Sequence, residues 1–121
     1  MKRLLLGLLA AVSAGAPLAP AGAHALLEST VPAAGSTVHQ SPTQLELRFT
    51  QRVEPAFSSI HVLDSDGTEV DNSDPQVDSV DGTLLRVSLP RLAPGRYRVV
   101  WRVLSVDNHV VKGDFTFDVA P

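Results

Sequence analysis

Apolar and polar side chains alternate along several short segments of the chain, a pattern typical of β-strands with one buried face. In the clearest case, Leu45, Leu47 and Phe49 point to one side, and the polar residues between them point to the other. Strands are predicted at Thr43–Thr50, Ser58–Asp64, Thr83–Leu89, Arg96–Leu104 and Asp114–Val119. The side chains expected to face inward from the last three strands are Leu85, Val87, Leu89, Tyr97, Val99, Trp101, Val103, Phe115, Phe117 and Val119.

Turn-forming residues separate these segments. In Asp64-Ser65-Asp66-Gly67 the aspartates can cap a turn and the glycine can supply a positive φ. The stretch Val70–Gly82 is polar and is predicted to be a loop. No part of the chain after residue 23 shows a sustained helical period. Short strands with frequent Gly, Pro and Asp turns predict an all-β, single-domain β-sandwich or small Greek-key barrel.

The first 23 residues have the organisation of a secretory signal peptide. The basic start Lys2-Arg3 precedes the apolar run Leu4–Val12, and the segment ends in Ala21-Gly22-Ala23. A membrane anchor is the alternative, but the apolar run is much shorter than the roughly 20 residues of a spanning helix. We therefore expect cleavage after Ala23. The mature domain, residues 24–121, is expected in the periplasm or otherwise outside the cytoplasm.

Composition narrows the possible partners. The formal net charge is −3, and removal of Lys2 and Arg3 with the signal would make it −5. Nucleic-acid binding requires clustered Lys and Arg to neutralise phosphates, so we expect no nucleic-acid partner. The chain has no cysteine, and its one methionine, Met1, would leave with the signal. The mature domain would therefore have no soft sulfur ligand for a metal ion.

Three residues form a candidate metal site. Cleavage after Ala23 would make His24 the first residue, whose free α-amine and imidazole could chelate a divalent metal. Asp107 and His109 are two positions apart, and in an extended chain both side chains would share a face. Together these groups form an N₃O set that suits tetragonal Cu(II), although Zn²⁺ accepts the same ligands tetrahedrally. The alternative is a self-capping turn at Asp107-Asn108 with His109 facing solvent, in a structural β-sandwich without metal.

Four ordered segments resemble signatures of one family. They are His24-Ala25-Leu26-Leu27 with Pro32-Ala33-Ala34-Gly35; Leu47-Arg48-Phe49 with Val53-Glu54-Pro55-Ala56-Phe57; Pro94-Gly95-Arg96-Tyr97 with Val99-Val100-Trp101-Arg102-Val103; and Ser105-Val106-Asp107-Asn108-His109 with Lys112-Gly113-Asp114-Phe115-Thr116-Phe117. In this order they resemble the CopC family of periplasmic copper-binding proteins, over essentially all of residues 24–121.

The resemblance implies a cupredoxin-like or immunoglobulin-like Greek-key domain that binds one Cu(II) per chain for copper resistance or homeostasis. It implies His24, Asp107 and His109 as ligands, and a CopD-like inner-membrane copper transport protein as a partner of a monomeric chain. Gln51 lies where some relatives have a glutamate near the metal, and we expect it to be a polar strand-end residue. The absence of methionine resembles the members that bind Cu(II) only.

An enzyme is the main functional alternative, because a terminal histidine with a second histidine also forms the copper brace of polysaccharide monooxygenases. Asp107 in the ligand plane would favour Cu(II) over the reduced state that oxygen chemistry needs. No nucleophile–base arrangement stands out, so no catalytic residue is predicted. Of the other histidines, His39 is expected at the surface, and the face of His61 within its strand is not determined by the pattern.

Overall fold

The chain forms two four-stranded β-sheets in a computed structural model, which describes residues 25–121. The strands are β1 (Leu27–Val31), β2 (Thr37–Val38), β3 (Gln44–Phe49), β4 (Ser59–Leu63), β5 (Gln76–Val77), β6 (Leu84–Ser88), β7 (Gly95–Leu104) and β8 (Val110–Val119), with a 3₁₀ turn at Pro55–Phe57. One sheet has the order β1-β3-β6-β5 and the other β2-β8-β7-β4. The β2–β8 pair is parallel and the other pairs are antiparallel. The all-β prediction is confirmed.

The core lies between the two sheets and consists of the side chains that alternation selected. Leu45, Leu47 and Phe49 are at most 1% exposed, as are Leu85 and Val87 from β6. From the facing sheet the core receives Ile60, Val62, Tyr97, Val99, Trp101, Val103, Phe117 and Val119. Phe115, predicted inward, is only partly buried at the margin of this core.

Three parts of the strand prediction were wrong. Strands β1 and β2 were missed, because β1 lies at a sheet edge with mostly exposed or partly buried residues and therefore shows little alternation. Strand β8 begins at Val110 rather than Asp114, since its first residues pair with β7 although they are exposed or only partly buried. The loop predicted at Val70–Gly82 contains β5, where two residues pair with β6.

The turn at Asp64 has the predicted chemistry. The Asp64 Oδ1 atom accepts hydrogen bonds from the backbone N–H groups of Asp66 and Thr68, both at 2.9 Å. Gly67 has a φ of 81°, the left-handed conformation that favours glycine. This turn ends β4 and directs the chain back along it, so that Leu63 forms a bridge with Glu69.

Ion pairs cover the outer faces of both sheets. Arg96 pairs with Asp118 and Arg98 with Asp114 across β7 and β8, as expected for arginines on a solvated face. On the other sheet, Asp81 accepts hydrogen bonds from Thr83 and Arg48. These donors, the Thr83 hydroxyl foremost, lower the pKa of Asp81 to about 2.

The predicted signal peptide, residues 1–23, lies outside the described residues, and so does His24. Within residues 25–121, no helix is long and apolar enough to cross a membrane.

Candidate metal centre

The loop Ser105–His109, between β7 and β8, is a tight turn. The Ser105 N–H donates to the carbonyl of His109 at 2.9 Å, and the Asn108 N–H donates to the carbonyl of Ser105 at 2.8 Å. Asn108 has a φ of 73°, a left-handed conformation that asparagine tolerates better than most residues. The chain therefore reverses direction at Asp107-Asn108.

This turn brings together two of the three predicted ligands. The Nδ1 atom of His109 lies 3.2 Å from the Oδ1 atom of Asp107, and their side chains are 52% and 32% exposed. Their proximity was predicted from an extended chain, and that geometry was wrong: the structure has a turn at Asp107-Asn108 with His109 exposed, as the alternative interpretation predicted. Because Asn108 is left-handed, the two side chains meet across a turn instead of standing on one face of a strand.

The buried side chain of Ser105 contacts both members of this pair. The residue is 1% exposed, and its hydroxyl donates a hydrogen bond to the Asp107 carboxylate. The same Oγ atom lies 3.2 Å from the carbonyl oxygen and 3.4 Å from the backbone nitrogen of His109. Ser105 thus fixes the carboxylate and the backbone of the histidine at once. No role was predicted for Ser105 from the sequence, although its position two residues before Asp107 was a usable signal.

The start of the described chain is tied to the same end of the sandwich. Ala25 is fully buried, and Leu26 exchanges two hydrogen bonds with Thr50: its N–H donates to Thr50 Oγ1 at 3.0 Å, and its carbonyl accepts from the Thr50 N–H at 2.9 Å. Two residues further on, the carbonyl of Arg52 accepts from the Val106 N–H at 3.1 Å. The segment Thr50–Arg52 therefore joins the N-terminal segment to the loop that carries Asp107 and His109.

Additional contacts join the chain after β3 to the end of β7 and the loop that follows it. Val53 forms a β-bridge with Ser105, and the Glu54 N–H donates to the carbonyl of Leu104 at 2.8 Å. Gln51 lies between the two attachment points and is partly buried. It is next in sequence to Arg52, whose carbonyl accepts the hydrogen bond from the loop.

The remaining sequence candidates lie elsewhere. His39 is exposed, as predicted, with its Nδ1 atom 2.8 Å from the carbonyl oxygen of Ala120. His61 faces outward from β4, and its Nδ1 atom lies 2.8 Å from Glu69 Oε2. Trp101 is in the core, as predicted, and its ring meets Phe49 edge to face with centroids 5.3 Å apart.

Comparison with known proteins gives a consistent assignment. A family model described as the CopC domain matches residues 27–120. Copper resistance protein C of Xanthomonas campestris pv. juglandis is 32% identical over 114 residues, which cover 89% of this chain and 89% of that protein. Protein YobA of Escherichia coli strain K12 is 36% identical over 98 residues, which cover 80% of this chain and 79% of that protein.

A solved structure agrees in fold. The crystal structure of CopC from Methylosinus trichosporium OB3b superimposes with a TM-score of 0.77 at 41% identity, covering 81% of this chain and 95% of that one. Its match extends the sequence similarity to the arrangement of the two sheets. On the family model, the relatives and this structure together, the chain belongs to the CopC family.

Proposed function

We propose that this protein binds one Cu(II) ion outside the cytoplasm, with ligands from His24, Asp107 and His109, and thereby sequesters or delivers copper. The observation that carries the proposal is the Asp107–His109 pair, on a turn that the segment Thr50–Arg52 joins to Leu26. Copper is the cargo of such a protein, and no chemical step on a substrate is required.

The distance between the two side chains fits shared coordination. Metal–nitrogen and metal–oxygen bonds of about 2.0–2.1 Å place two ligands about 2.9 Å apart at a right angle and about 3.3 Å apart at a tetrahedral angle. The 3.2 Å between His109 Nδ1 and Asp107 Oδ1 lies within this range. Small side-chain rotations would therefore suffice to bind one ion, and Ser105 restrains the carboxylate in place.

Chain connectivity supports His24 as the third ligand. His24 is the neighbour in sequence of Ala25, which is fully buried. The hydrogen bonds of Leu26 and Val106 to the segment Thr50–Arg52 bring the two parts of the chain to one end of the sandwich. A mature N-terminus at His24 would then offer its amine and imidazole to the same ion.

The ligand set favours Cu(II). Amine and imidazole nitrogens with a carboxylate suit a tetragonal Cu(II) site, and Cu(II) is the tightest-binding divalent first-row ion in most nitrogen and oxygen sites. The soft sulfur ligands that favour Cu(I) are absent from residues 24–121. The relative from Xanthomonas is named a copper resistance protein, which supports the same metal.

The remaining parts of the proposal concern the location of the protein, its partner and its oligomeric state. Secretion through the signal at residues 1–23 would place the domain in the periplasm or an equivalent space, where a CopD-like inner-membrane transport protein is the candidate acceptor. We propose that the protein acts there as a monomer.

The decisive experiment compares two N-termini. The chain beginning at His24 is titrated with Cu(II) and followed by electron paramagnetic resonance, and the same chain carrying one extra alanine before His24 is the test variant. We expect a tetragonal nitrogen-rich signal at one equivalent, and affinity lowered on the order of a hundredfold by the extra residue, since the chelating amine is displaced. An unchanged affinity would rule out the terminal chelate.

Variants of the loop separate the other ligands. His109→Ala should weaken binding strongly and Asp107→Asn less, while His39→Ala, an exposed histidine hydrogen-bonded to a backbone carbonyl, should leave binding unchanged. Peroxide production with ascorbate and cleavage of a polysaccharide would instead indicate the monooxygenase-like alternative.

A further inference from the structure

A second group of metal-ligating side chains lies on β4 and on the segment that runs back beside it. His61, Glu69 and Asp71 each offer one ligand atom, and these atoms all lie within 4.8 Å of one another. His61 Nδ1 and Glu69 Oε2 lie 2.8 Å apart. One imidazole nitrogen and two carboxylates are a ligand set that divalent zinc and copper accept.

Backbone contacts hold these side chains in position. The segment after the Asp64 turn runs back beside β4, and the Val70 N–H donates to the carbonyl of Val62 at 2.8 Å. The Asp71 carboxylate accepts from the Val62 N–H at 2.8 Å and from the Ser73 N–H at 2.9 Å. The backbone of β4 and of the returning segment thus preorganises the cluster, and each carboxylate keeps lone pairs for a metal.

The cluster concentrates negative charge. The ligand oxygens of Glu69 and Asp71 lie within 4.8 Å of each other, a separation at which two ionised carboxylates repel. A divalent cation bound between the carboxylates would remove this repulsion.

The position is open to solvent and separate from the first site. His61 and Glu69 are both exposed, so an ion and its water ligands can reach them from solvent. His61 lies opposite Val100 on β7, and the five residues from there to Ser105 span about 16 Å of strand, too far for one ion to reach both sites.

We propose that His61, Glu69 and Asp71 form a second divalent-metal site, which takes Zn²⁺ or Cu²⁺ with water in the remaining positions. This second site does not depend on the site formed by His24, Asp107 and His109, because the two sites share no residue. The chain would then bind two divalent ions, a tight one at the loop end and a weaker one on the face of the β2-β8-β7-β4 sheet.

The test counts ions and locates them. The chain beginning at His24 is titrated with Cu(II) to beyond two equivalents while amide signals are recorded by NMR, and a parallel titration with Zn²⁺ is followed by calorimetry. We expect the second equivalent of Cu(II) to broaden the amide signals of residues 68–72. His61→Gln and Glu69→Gln should each lower that second affinity on the order of tenfold or more.

Two variants complete the design. His39→Gln, a matched exposed histidine, should keep both equivalents, and His109→Ala should lose the first and retain the second. The first equivalent reports on the site with His24, Asp107 and His109, and the second on the site with His61, Glu69 and Asp71. Failure of one proposal can therefore be told apart from failure of the other. A stoichiometry of one in the unaltered chain, or a second equivalent insensitive to His61→Gln and Glu69→Gln, would overturn the second site.

Discussion

Removal of one hydroxyl group, in Ser105→Ala, should weaken copper binding without touching any proposed ligand. The Ser105 hydroxyl donates to the Asp107 carboxylate and also contacts both backbone groups of His109. In the variant the turn loses these contacts. Part of the binding free energy must then be used to order Asp107 and His109, which the unaltered chain already holds in place. A positioning group of this kind is worth about 10–100-fold in metal affinity.

The same substitution should also lower stability. Ser105 is 1% exposed, and hydrogen bonds from a neutral group to a charged one contribute about 1.5–3 kcal/mol. For a domain of this size, each 1 kcal/mol lowers the Tm by about 4–8 °C. Loss of stability alone does not predict loss of metal affinity, so the two effects must be measured separately.

Ser58→Ala is the matched control. Ser58 is also buried, its hydroxyl donates to the carbonyl of Glu54 at 2.7 Å, and its Oγ atom accepts from the Leu104 N–H at 3.3 Å. These hydrogen bonds go to backbone groups and not to the proposed ligands, so their loss should cost stability alone. The assays are thermal unfolding of the metal-free chains and competition titration with a Cu(II) chelator of known affinity. The reasoning fails if both variants bind Cu(II) equally well.

Two further predictions concern the domain itself. Gly113→Ala should destabilise the fold by about 1–3 kcal/mol in denaturant unfolding, because a Cβ would lie 2.7 Å from the rigid indole of Trp101. Gly82→Ala is the control and should destabilise the fold less, because its Cβ would meet the flexible side chain of Arg52. Equal losses of stability in the two variants would contradict this reasoning. Asp81 has a pKa of about 2 in the folded chain against an ordinary 3.8, held low by the Thr83 hydroxyl foremost. Its stabilising contribution is therefore complete above about pH 4 and is lost as the pH falls towards 2. The urea midpoint should drop less between pH 5 and pH 2.5 in Asp81→Asn than in the unaltered chain, and equal drops would refute the assignment.

The sequence by itself determined the fold class and most of the core. Strands such as β3 bury one face against the opposite sheet, so side chains with a period of two must alternate, and Leu45, Leu47 and Phe49 could be assigned without coordinates. The short or edge strands β1, β2 and β5 could not be predicted in this way, because they have little buried surface to impose a pattern. The pairing of Asp107 with His109 was likewise visible, because the two are neighbours in the chain.

Only the tertiary structure decided how Asp107 and His109 are held, and which distant segments of the chain come into contact. The left-handed conformation of Asn108 and the buried hydroxyl of Ser105 place Asp107 against His109, and neither contact follows from spacing. The N-terminal segment is joined to this loop through Thr50–Arg52, a segment distant from both in the sequence. Such long-range contacts depend on strand order and register, which local patterns do not encode. The cluster around His61 has the same origin, because a turn must return the chain before its carboxylates can face the imidazole.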